Sequence, residues 1–120
     1  MHKSPSFFIA GAAMFALLTA TPTLAAPEPV VTPATIASAK TAADHEAIAR
    51  TYESEAVRLE GEAAAHAELA KIYGSYTSPK LYSAEMEKQC KELARDLKAS
   101  AVLNRKLAAL HRRIATELGK

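Results

Sequence analysis

His45-Glu-Ala-Ile-Ala-Arg-Thr-Tyr52 returns as His66-Ala-Glu-Leu-Ala-Lys-Ile-Tyr73, and in looser form as Cys90-Lys-Glu-Leu-Ala-Arg-Asp-Leu97 and His111-Arg-Arg-Ile-Ala-Thr-Glu-Leu118. The shared pattern is His or Cys, two residues, Ile or Leu, then Ala. Copies 45 and 66, and copies 90 and 111, stand 21 positions apart, which is three whole heptads. Each pair of copies therefore lies on one face of one helix.

The heptad step extends well beyond the repeats. Ala49, Ala56, Ala63 and Ala70 step by seven, as do Ala94, Ala101, Ala108 and Ala115. Beside them run His45, Tyr52, Leu59, His66 and Tyr73, and on the second segment Cys90, Leu97, Asn104, His111 and Leu118. Two adjacent lines with 4-then-3 spacing form the seam of a left-handed coiled pair, and alanine lets the two backbones approach closely. This predicts an all-α fold, an antiparallel two-helix hairpin with an alanine-rich heptad seam. No run alternates with period two, so no sheet is expected.

In an antiparallel pair, residues lying opposite each other have position numbers that add to a constant. The pairs 45/111 and 66/90 both give 156, which centres the bend on residue 78 and sets Leu59 against Leu97. Gly74-Ser-Tyr-Thr-Ser-Pro79 is the turn-like cluster at that place, with Gly74 suited to a helix C-cap and Pro79 to a first turn. Thr41-Ala-Ala-Asp44 reads as a capping box with a shortened acid. The hairpin is thus expected over 41–120, with a helix over 41–73, a turn over 74–82 and a second helix over 83–118. Asn104, a polar residue on the seam, is expected to fix register.

An alanine seam buries little apolar area, so a lone hairpin has a thin core. Ile48, Leu69, Ile72, Leu93, Leu103, Leu107, Leu110 and Ile114 widen the apolar face beyond the seam. Helices with more than one neighbour have such faces, which predicts a homodimer forming a four-helix bundle.

Upstream, Pro27, Pro29 and Pro33 sit among small residues over 26–40, the composition of an extended, disordered lead-in. Residues 1–25 combine His2 and Lys3, the apolar stretch Phe7 to Leu18 and the small-residue site Thr23-Leu24-Ala25. That is the pattern of a secretory signal peptide, too short to span a bilayer, and it predicts a periplasmic or secreted protein without stable membrane insertion. Losing Lys3 with that segment leaves 14 basic against 13 acidic residues, interleaved along both helices. This balance argues against a nucleic-acid partner.

The repeats place His45 with His111 at the open end and His66 with Cys90 near the bend, layers about 31 Å apart at the helical rise. A transition-metal site of copper or zinc is one reading, built on His66 and Cys90, with Met86 one turn before the cysteine as a third soft ligand. His45 and His111 form a second candidate pair. Imidazole, thiolate and thioether suit Cu(I), and a symmetric dimer offers two His and two Cys to Zn(II). The other reading is that the three histidines are seam residues satisfied by polar groups or water. Cys90, the lone cysteine, is then a packed small side chain, a free thiol or an intermolecular bridge. No Cys-x-x-Cys-His run occurs for haem attachment, and a two-helix hairpin has no evident catalytic pocket. The expectation is a non-catalytic exported protein that binds a partner or serves as structure, with metal binding as the alternative.

The His-x-x-Ile/Leu-Ala-x-x-Tyr segments, the lone cysteine on the second helix and the leader resemble small exported bacterial helical-hairpin proteins. The resemblance spans Thr41 to Leu118. It implies a helical hairpin and an exported location, and brings no activity, ligand or site residue with it. Such proteins often carry His just before that cysteine, where this chain has Gln89.

Overall fold

A computed structural model describes residues 30–76 and 80–120 of the chain. It contains a short helix α1 (Pro33–Ser38) and two long ones, α2 (Ala42–Ser75) and α3 (Lys80–Leu118), the long pair packed against each other. At the helical rise α2 and α3 are about 51 and 58 Å long. There is no strand among the described residues.

The start of α2 follows the capping logic of its sequence. Asp44 N–H donates to Thr41 Oγ1 at 3.1 Å, and Thr41 N–H donates to Asp44 Oδ2 at 2.9 Å. The same carboxylate oxygen also accepts from Lys40 N–H at 2.9 Å. These bonds hold the Asp44 carboxyl below the usual carboxylate range, the Lys40 N–H contributing most. Ahead of it, the lead-in departs from the expected disorder over 33–38. Thr32 caps α1 by accepting from Thr35 N–H, and Pro33 stands in its first turn, where a missing N–H costs nothing. Of the three prolines that gave the lead-in its disordered reading, Pro33 opens a helix.

The bend is also tighter than expected. Gly74 is not the C-cap: α2 continues through Ser75 and is capped at Tyr76. The missing side chain serves a different purpose, because a Cβ on Gly74 would lie 2.6 Å from Glu87 Oε2 on α3. Since α3 begins at Lys80 rather than Ser83, the expected turn over 74–82 shrinks at both ends. Its centre, with Pro79, lies outside the described residues, as does the expected leader over 1–25.

Every alanine of the two predicted lines is buried, from Ala49, Ala56, Ala63 and Ala108 at 0% exposure to Ala94 at 7%. Leu97 packs on the Ala56, Leu59 and Ala101 cluster, and the His45 and His111 rings meet, as the constant of 156 requires. Asn104 does not fix register by bonding across the seam, since its amide donates back to Ser100 O at 3.0 Å in its own helix. Leu118, 52% exposed, falls past the point where α2 can face it.

Because alanine layers set the helix separation, a larger residue there must push the backbones apart. Ala56→Leu should lower unfolding stability by about 1–3 kcal/mol in urea titrations. Ala109→Leu, on the exposed face of α3, should leave it nearly unchanged. Equal losses from the two would contradict close alanine packing.

Candidate functional site

The seam supplies the candidate site residues. At its open end, His45 Nδ1 and His111 Nδ1 are 2.9 Å apart, with ring centroids 5.2 Å apart and an interplanar angle of 23°, so the two rings meet edge to edge through these nitrogens. Such a bond needs a proton on one nitrogen and a lone pair on the other. Tyr52, one heptad along α2 toward the bend, has its ring 5.7 Å from the His111 ring. Burial and the neighbouring His45 both press the His111 pKa below its ordinary value, burial having the larger effect.

Near the bend, the same register sets His66 opposite Cys90. Cys90 is buried as a free cysteine, and His66 Nδ1 is buried with no hydrogen-bond partner. Met86 is not gathered into this layer. It is 46% exposed and sits on the side of α3 that carries Leu93, where its thioether is removed from the seam. Among the described residues no three His, Cys, Asp or Glu side chains converge as a metal-binding group. The three-ligand set of His66, Cys90 and Met86 therefore lacks its third member in a single chain.

The two flanks of the seam differ in chemistry, and sequence reasoning missed this. On one side Arg105 bridges to Glu53 at 3.3 Å and to Glu60, with Glu60 Oε2 accepting from its second guanidinium nitrogen at 3.0 Å. Arg112 adds a bond to Glu53 at 3.3 Å. These ion pairs cross from α3 to α2 and hold the Glu60 carboxyl below its usual range. The signal was present in the sequence, since Glu46, Glu53 and Glu60 step by seven, as do Lys91, Lys98, Arg105 and Arg112. Exposed pairs of this kind add little stability, but they mark the flank as closed and solvated.

The other flank is apolar at both ends. Leu69, Ile72, Met86 and Leu93 lie toward the bend, and Leu103, Leu107, Leu110 and Ile114 toward the open end, each 38–58% exposed. Between them Arg58 ties Glu55 at 2.6 Å and also Glu62, within α2. A groove of about 350 Å³ runs beside this network, lined by Val30, Val31, Thr51, Tyr52, Glu55, Arg58 and Asn104. The Arg58 guanidinium keeps the Glu55 carboxyl ionised well below neutral pH, which removes it as a general acid.

No described helix is long and apolar enough to cross a membrane. Comparison with family models, curated proteins and solved structures finds no match to this chain.

Because His111 is held toward its neutral form, the unfolded chain binds more protons than the folded one just below the ordinary imidazole value of about 6.5. Its contribution to stability is present above that value and is lost as the pH falls through it. The melting temperature should therefore fall between about pH 7.5 and 5.5, and His111→Gln should flatten the slope in thermal melts followed by circular dichroism. An identical slope in the variant would exclude His111 as the source.

Proposed function

We propose that this chain is an exported, non-catalytic helical interaction protein that self-associates through its apolar flank into a four-helix bundle. The observation that carries this reading is the asymmetry of the hairpin. One flank is crossed by Arg105 and Arg112 ion pairs, and the other leaves eight large apolar side chains 38–58% exposed. An apolar patch of roughly more than a few hundred Å² is beyond what soluble monomers ordinarily expose and marks a binding surface.

A second copy is the occupant that best suits this surface. Leu103, Leu107, Leu110 and Ile114 follow the 4-and-3 spacing of a second helical seam, which another helix of the same spacing fits. The clusters at the two ends, separated by the polar Glu55, Arg58 and Glu62 group, would each meet a copy of themselves or of the other in a two-fold arrangement. The near balance of charge outside the leader, with both signs interleaved, supports a protein surface rather than a nucleic acid as the partner. Export is supported by the signal-like pattern over 1–25, and the non-catalytic reading by a groove whose one acid is already paired.

Sedimentation equilibrium of the purified chain should give the mass of two copies. The double substitution Leu107→Glu and Leu110→Glu should return it to one copy with its helical circular dichroism retained. A parent chain that stays a single copy at every concentration would overturn the self-association.

A further inference from the structure

We propose that residues 30–40 act as a strap covering the α2 side of the apolar flank near the open end, and that its release strengthens pairing with a second copy. This rests on the self-association proposed for the flank and adds a control on it.

The four repeats supply an internal comparison. Ile48, Leu69, Leu93 and Ile114 hold the same position in the four copies, three residues after His or Cys, and by heptad position all four lie on the apolar flank. In every copy the next residue is a seam alanine. Leu69, Leu93 and Ile114 are 38%, 46% and 41% exposed, whereas Ile48 is 3% exposed. What distinguishes Ile48 is the lead-in beside it. Val30, Val31 and Ala39 border a crevice of about 280 Å³ whose α2 side includes Ala47, Ile48 and Thr51. Within 30–40, Val31 and Ala39 are also the residues that are half-buried, the others being exposed. The strap is thus covered at its two ends, with exposed α1 between them.

Its placement follows from local bonds. Asp44 Oδ2 accepts from both Lys40 N–H and Thr41 N–H, so the cap of α2 fixes how the chain arrives there. Thr32 caps α1, which stiffens the segment leading back to Val30 and Val31, and these two reach the groove of Thr51, Tyr52 and Asn104. By heptad position Leu103 and Leu107 stand on this same side of Asn104. A strap along that groove therefore lies where a further helix would have to rest to cover the open-end cluster. The cluster toward the bend is out of its reach. Half-burial of one valine and one alanine is a weak hold, which suits a segment that opens and closes locally. Only the open chain offers the whole flank, and a strap closed about 90% of the time lowers the apparent affinity between copies about tenfold.

The test compares the full chain with its Val31→Asp variant by sedimentation over a concentration series. The methyl resonances of Ile48 and Leu69 are followed by nuclear magnetic resonance at concentrations where single copies prevail. Val31→Asp leaves α2 and α3 unaltered in sequence. A new charge beside the flank would by itself weaken pairing, so a gain isolates release of the strap. The expected result is a shifted Ile48 methyl, an unshifted Leu69 methyl and a single-to-double copy midpoint at about tenfold lower concentration. An unmoved Ile48 methyl would overturn the cover. A shifted Ile48 methyl with an unchanged or raised midpoint would overturn the control while leaving self-association intact. Failure of the self-association itself reads differently, as two chains that both stay single at every concentration, and it would remove the control as well.

Discussion

The closeness of α2 and α3 rests on alanine. With Ala49, Ala56 and Ala63 on one helix and Ala94, Ala101 and Ala108 on the other, the alternate layers of the seam hold no side chain longer than a methyl group. Helices packed through such layers approach more nearly than those packed through leucine. The layers between them feel the consequence. Imidazoles at 45 and 111 that would pass each other in a wider pair are brought within hydrogen-bond distance. Alanine alone, however, leaves register degenerate, because a slip of one heptad sets alanine against alanine again. The short connection after Tyr76 and the unlike residues of the intervening layers remove that degeneracy. The Arg105 and Arg112 bridges to Glu53 and Glu60 act in the same direction, though weakly.

The same constraint limits what the hairpin buries. Among the described residues its buried apolar side chains are alanines apart from Ile48, Leu59 and Cys90. At about 0.8 kcal/mol per buried methylene-sized group, a seam of methyl groups is a weak source of stability for helices this long. The large aliphatic residues are instead on one flank, left half-covered while the opposite flank is crossed by ion pairs. Thin core and exposed flank are two outcomes of one choice. Residues small enough for close approach cannot supply buried area, and the area is carried where a further helix can cover it.

How much of this was legible in the sequence depended on whether a feature was periodic. The fold, the register and the burial of both alanine lines followed from steps of seven, since heptad spacing maps directly onto one face of a helix. The contact of His45 with His111 followed from the same arithmetic. What failed was judged from single residues. Gly74 reads as a helix C-cap and Pro33 as part of a disordered lead-in, but Gly74 makes room for Glu87 and Pro33 opens α1 behind Thr32. Asn104 reads as the residue that fixes register, and its amide is engaged with the carbonyl one turn back in its own helix. Met86 was joined to Cys90 by helical spacing alone. Four residues is one turn, but it does not return a side chain to the same line of a two-stranded seam, and Met86 falls on the flank. The charged flank was legible and overlooked, since its glutamates and basic residues step by seven as regularly as the alanines.

The polar layers do not fit a hairpin selected for its own stability. A buried nitrogen left without a partner, as at His66 Nδ1, costs about 1–3 kcal/mol, as much as or more than the methyl groups of an alanine layer contribute. Leucine at that position, opposite Cys90, would remove the cost and add apolar area. The chain has that solution elsewhere, at Leu59 with Leu97. At three other seam positions it holds imidazole instead, two of them in contact and the third opposite a thiol, in layers about 31 Å apart. Layers so far apart cannot cooperate on one ion within one chain, so each must be explained by what lies beside it. At the open end that neighbour is a second imidazole at hydrogen-bond distance. Near the bend it is a single thiol, and the unmet hydrogen-bonding capacity of His66 there is what distinguishes the two ends of an otherwise repetitive molecule.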